Sequence, residues 1–138
     1  MHRKSIFILS LLLLAGNARA ADDVKVAHAQ AAAKTWLALI DAGHYAKSWD
    51  AASVFFRGSI TKVTWEAAVR SVRAPLGPVT SRTLNSATFT RTLPGAPDGE
   101  YVVIQYTARF KGRAPAVETV TPMREKDGAW RVAGYFVR

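Results

Sequence analysis

The chain contains no cysteine among its 138 residues. That excludes disulfides, a thiol nucleophile and every zinc site that needs a thiolate. Histidine is scarce as well. Outside the first few residues only His28 and His44 occur, and they lack the i, i+4 spacing of a helical zinc pair. His28 reads as a solvated side chain, and His44 as one placed just past a helix end, where a cation suits the dipole. Acids are outnumbered, ten against nineteen Lys and Arg, and they show no close pair suited to glycoside hydrolysis. Arg57-Gly58-Ser59-Ile60 is not a G-x-S-x-G elbow, and no phosphate-binding G-x-x-x-x-G-K-[ST] occurs. Neither a metal nor a cofactor is expected.

What the chain does have is apolar and aromatic mass. It is 49% hydrophobic, with 4 Trp, 4 Tyr and 6 Phe. That supports one small packed domain and argues against wholesale disorder.

The N-terminus reads as an export signal. His2, Arg3 and Lys4 form a basic start, and Ile6 to Ala15 is an apolar run broken only by Ser10. Ala18-Arg19-Ala20 then supplies a small-x-small cleavage pattern. The run is too short for a bilayer, which needs roughly 20 apolar residues. The competing reading is an N-terminal membrane anchor. The expectation is a signal peptide over residues 1–20 and a single domain over 21–138, with no transmembrane segment in the mature chain. Periplasmic location is expected first, secretion second.

Removing residues 1–20 leaves 16 bases and 10 acids, a balance of +6. Residues 21–56 carry net −1 and residues 57–138 net +7. Export makes nucleic acid an unsuitable partner, whereas anionic lipid or envelope polysaccharide fits weak electrostatic contact. The plain alternative is that the charge serves solubility.

Periodicity divides the domain into helices and then strands. Residues 22–43 form a helix in this reading, rich in alanine, with Ala29, Ala33, Trp36, Leu37 and Ile40 on one face. Asp23, Gln30, Lys34 and Asp41 lie beside that stripe, and Gly43 is a C′ stop. A second helix is expected over Tyr45 to Phe56. Thr64 looks like the N-cap of a third, with Trp65, Val69 and Val72 inward and Glu66, Arg70 and Arg73 outward. Pro75, Gly77 and Pro78 end it.

From Thr80 the period is two. Strands are expected over Thr80–Leu93, with a bulge, Tyr101–Phe110, Val117–Glu125 and Ala129–Val137. Val102, Ile104, Tyr106, Ala108 and Phe110 face one way, and Tyr101, Val103, Gln105, Thr107 and Arg109 the other. Gly112 turns the chain, and Asp127-Gly128 signals a type I′ hairpin. Gly134 inside the last strand calls for a bend or for something that packs closely. The layout is α+β: three N-terminal helices packed on a four-stranded antiparallel meander. It resembles the cone-shaped domains of the nuclear-transport-factor-two-like or cystatin-like kind, which host enzymes and binding modules alike.

The candidate site is the junction after the first helix. Asp41, Tyr45 and Trp49 follow one another at i, i+4 spacing, Asp50 is adjacent, and Trp36 precedes them. A desolvated aspartate beside aromatics would have a raised pKa and serve as a general base. The competing reading is a turn carboxylate beside core aromatics. Trp36, Asp41, Tyr45 and Trp49 are therefore ligand-binding candidates, with Asp41 the catalytic candidate and Asp50 its alternate. Arg73, Arg82, Glu100 and Glu118 are placed to pair between the third helix and the sheet.

Several segments together resemble one bacterial family, the domain of unknown function 4019. They are Trp36-Leu-Ala-Leu-Ile-Asp-Ala-Gly43, Tyr45, Ser48-Trp49, Trp65, Arg73-Ala-Pro-Leu-Gly77 and Arg82-Thr-Leu84. Leu93-Pro-Gly-Ala-Pro-Asp-Gly-Glu-Tyr101, Glu118-Thr119 and Asp127-Gly-Ala-Trp-Arg-Val-Ala-Gly-Tyr135 complete the set. The resemblance implies an exported bacterial α+β domain and brings no catalytic residues with it. The expected function is an exported binding or interaction module for a small apolar molecule or an envelope protein. The alternative is a small cofactor-free cone-fold enzyme, an isomerase or lyase, with a buried aspartate as base.

Overall fold

The computed structural model describes residues 8–111 and 113–138. The basic start at His2 to Lys4 and the expected turn residue Gly112 lie outside them. Four helices precede four strands: α1 (Ile8–Asp41), α2 (Tyr45–Asp50), α3 (Val54–Ser59), α4 (Lys62–Leu76), then β1 (Val79–Thr90), β2 (Tyr101–Phe110), β3 (Ala116–Arg124) and β4 (Trp130–Val137). The strands form one antiparallel sheet in the order β1-β2-β3-β4, and the helices pack against it, so the fold is α+β. No described helix is long and apolar enough to cross a membrane.

α1 begins earlier than residue 22, because the Leu- and Ala-rich segment before it has high helix propensity. Its end is as expected. Gly43 takes φ +76°, its N–H donates to Ile40 O at 3.0 Å, and His44 N–H donates to Leu39 O at 2.8 Å. This is a Schellman stop with Gly43 at C′.

The expected second helix is two short ones. The break falls where Ser53 turns extended: its N–H donates to Val132 O of β4 at 2.9 Å, and its hydroxyl accepts from Phe56 N–H to cap α3. A sheet contact has taken the backbone donor that a continuous helix would use. The cap of α4 lies three residues before the expected one. Thr61 caps it by accepting from Thr64 N–H, and the helix runs through Pro75 to Leu76 before Gly77 ends it. Its inner face also differs from expectation: Trp65 and Val69 are buried, but Arg73 is buried in place of Val72.

The inner face of the sheet carries Val102, Ile104 and Val120, packed on Ala29, Ala33, Trp36, Leu37 and Ile40 of α1. Two indole N–H groups tie the helical layer together. Trp36 Nε1 donates to Ser48 O at 2.8 Å, and Trp65 Nε1 donates to Ser48 Oγ at 2.9 Å. β1 carries register shifts after Val79 and after Leu84. Tyr101 is assigned outward by alternation yet is fully buried, because the loop after β1 folds over it and Pro97 O accepts its hydroxyl.

The β3–β4 turn is not type I′, since no residue other than glycine has positive φ among the described residues. Gly128 N–H donates to Glu125 O at 2.9 Å, and Glu125 N–H donates to Ala129 O at 2.8 Å. This is a type I turn followed by Gly128 at φ +85°, the three-residue hairpin with a glycine bulge. Gly134 has nothing near its missing Cβ; it pairs with Thr121 at the register shift where Pro122 interrupts β3, so a bend accounts for it.

Candidate functional site

The C-terminus of α1, the last turn of α4 and the middle of the sheet converge on an ionic cluster. Arg82 of β1 faces inward opposite Ala108. Its Nη1 and Nη2 donate to the two oxygens of Asp41 at 2.9 and 3.0 Å, and its Nε donates to Glu118 Oε1 at 2.6 Å. Arg73 Nη2 donates to Asp41 at 2.9 Å, and its Nη1 lies 3.8 Å from Glu118. The Tyr135 hydroxyl donates to Glu118 Oε2 at 2.5 Å and accepts from Arg73 Nη1 at 3.3 Å. Glu118 is fully buried and Arg73 is 4% exposed, stacked over the Phe110 ring.

Two carboxylates face two guanidinium groups, so the cluster is neutral as a whole. Burial opposes ionisation of Asp41, but the hydrogen bonds and charges of Arg82 and Arg73 outweigh it and hold its carboxyl below the ordinary range. Burial, and then the adjacent Glu118 carboxylate, push the Tyr135 phenol well above its ordinary value. Burial works against both arginines, but their partners more than offset it and hold them charged. Asp41 is thus fixed as an anion with both oxygens occupied, the opposite of the raised pKa that a general base near neutrality needs. Asp50 is exposed and pairs with Lys62 at 2.7 Å.

The other expected site residues do not gather around Asp41. Trp36 is a core side chain, with its ring edge-on to Tyr135 at 5.3 Å. Tyr45 lies under Arg70, while Trp49 has Arg57 and Lys62 close to its ring and donates to Ile60 O. Of the four expected pairing residues, Arg73, Arg82 and Glu118 meet, whereas Glu100 binds Lys25 and Arg124 elsewhere. Among the described residues no three His, Asp or Glu side chains stand close enough to hold a metal ion.

Beside the cluster, an open groove of about 380 Å³ runs between α1 and β1. Ala31, Leu37, Leu84 and Tyr106 give it apolar walls, and Gln30, Lys34 and Arg82 supply polar groups. Its volume is within the range of small-molecule sites, about 300–1,000 Å³. Leu84 faces inward opposite Tyr106, yet it is 48% exposed, because α1 covers the sheet centre and leaves β1 open at its bulge. The groove lies on the flank of α1 that carries Gln30, Lys34 and Asp41. That polar row was the available sequence signal. Leu84 and Tyr106 gave none, because an inward apolar residue in a strand is normally covered.

A family model described as "Protein of unknown function (DUF4019)" matches residues 32–135. A search of curated proteins gives no match.

Proposed function

Because the chain belongs to the DUF4019 family, whose description assigns no activity, we propose from its own geometry that it is an exported binding module. Its binding site is the groove between α1 and β1. The observation that carries this reading is the apolar wall of half-exposed Leu84 and partly buried Tyr106 beside polar groups that the fold leaves unused. The ionic cluster is the rigid back of the site: it fixes α1 against the sheet and sets the width of the groove. Export is supported by the basic start, the short apolar run and Ala18-x-Ala20, with processing to Ala21 and periplasmic residence. The described core begins only at Val26 and Ala29, so losing residues 1–20 removes no described core residue.

The test is a neutral apolar fluorophore. N-phenyl-1-naphthylamine should brighten on adding the protein and dim for Ala31→Trp, which fills the groove from an exposed helix position. Equal brightening by the folded Ala31→Trp variant would remove the groove from the reading.

A further inference from the structure

The groove has an uncompensated charge, and its position identifies the class of ligand. Arg82 contributes no net charge, because the cluster balances it: two arginines meet two carboxylates, with three of its own N–H bonds directed at them. Lys34 is different. It is exposed on the α1 rim of the groove and, among the described residues, enters no salt bridge. The Gln30 amide and the Tyr106 hydroxyl line the same space, and neither makes a hydrogen bond among the described residues. Tyr106 is kept protonated: burial, the larger cause, and the Glu118 carboxylate together raise its pKa despite the lowering effect of Arg82. It therefore offers a donor.

A cationic donor and two neutral ones thus line the same space as the exposed apolar side chains of Ala31 and Leu84. A neutral apolar molecule would leave these donors unmatched, and a cation would be repelled. A chain molecule with an anionic head satisfies both parts, because the head gains charge-assisted hydrogen bonds while the tail covers Leu84.

Building on the groove reading above, we propose that the site takes a single-chain amphiphile with an anionic head, the head on Lys34 and the Tyr106 hydroxyl and the tail along Ala31 and Leu84.

The experiment displaces N-phenyl-1-naphthylamine from the intact folded domain with three probes of one tail length: decanoate, decanol and decyltrimethylammonium. Decanoate should compete about tenfold better than decanol, as one charge-assisted contact implies, and the ammonium compound worst. The advantage of decanoate should shrink as salt is added, while decanol is unaffected. Lys34→Met should erase the difference between decanoate and decanol, and Lys34→Arg should restore it. Both substitutions are at an exposed helix position, so folding is preserved. If decanol and decanoate compete equally, or if Lys34→Met leaves the decanoate advantage intact, the anionic-head assignment is overturned while the groove stands. If the fluorophore itself does not bind, or binds Ala31→Trp unchanged, the groove reading fails and the head assignment falls with it.

Discussion

Glu118 is the residue on which the ionic cluster depends, because it is wholly buried and receives Arg82 and Tyr135 on separate oxygens. Removing one member of a buried ion pair leaves the other uncompensated, so Glu118→Gln should cost about 3–5 kcal/mol in chemical denaturation. Asp41→Asn should cost less, about 1–3 kcal/mol, because its side chain is 22% exposed and water can reach Arg82. The same cluster sets a pH profile with two edges. The Asp41 carboxyl sits below its ordinary 3.8 in the folded protein, so the unfolded chain takes up the proton first in acid. Its stabilisation is complete above that value and is lost as pH falls through the lowered one. The Tyr135 phenol is raised above its ordinary 10.0, so the unfolded chain loses the proton first in alkali. Its stabilisation is complete below 10.0 and is lost as pH rises beyond it. Melting temperature against pH should show a plateau between the two edges, with Tyr135→Phe softening the alkaline one. An alkaline edge that is identical in Tyr135→Phe would contradict this assignment. In the sequence, Arg73, Arg82 and Glu118 could be grouped as opposite charges on neighbouring elements. Asp41 and Tyr135 could not, because helix periodicity assigns an arginine outward and cannot show that partners from four other elements will bury it.

At the level of elements, the strand half and the long helix were legible because each rests on a local rule. Gly43 stops α1 for a reason visible in four residues, and β2 alternates inward and outward for most of its length. The errors came where distant backbone decides. Ser53 reads as one more polar residue in a helix until Val132 O of β4 takes its N–H. Ser53→Ala should then cost about 1 kcal/mol through loss of the α3 cap, with the break between α2 and α3 retained. The β3–β4 turn gives a sharper test. Gly128 has φ +85°, a region that a β-branched residue enters only with strain. Gly128→Val should lower stability by on the order of 1 kcal/mol or more. Gly128→Asn should cost much less, because asparagine tolerates the left-handed region. Equal losses for the two would mean that the glycine is required for space, although only the Arg124 guanidinium lies within 4 Å of its missing Cβ, at 3.9 Å.

At the scale of the whole molecule, the excess charge has a position that composition alone did not reveal. Arg138 pairs backbone to backbone with Val117, and Val117 lies opposite Thr107, two residues before Arg109. Lys111 N–H donates to Pro78 O, and Arg113 reaches Pro75 O from the same end. Arg109, Lys111, Arg113 and Arg138 are therefore gathered where β2 ends, β3 begins and β4 ends, and among the described residues none is paired with an acid. Most other bases of the second half are paired: Arg73, Arg82, Arg91, Arg124 and Arg131 all have carboxylate partners. Four of the 13 bases of residues 57–138 are thereby gathered, without acid partners, at one end of the sheet. Near an anionic surface each such side chain contributes about 1 kcal/mol, screened over about 10 Å at 0.1 M salt. The domain over residues 21–138 should sediment with phosphatidylglycerol-containing vesicles in low salt and release by physiological ionic strength. Arg109→Glu combined with Lys111→Glu should abolish the binding. Lys34→Met should leave it unchanged, because Lys34 stands on α1 at the groove and is not among the four bases at the strand ends. Binding that persists in the double variant would mean that the surface contact is made elsewhere, and binding insensitive to salt would mean that it is not electrostatic in origin.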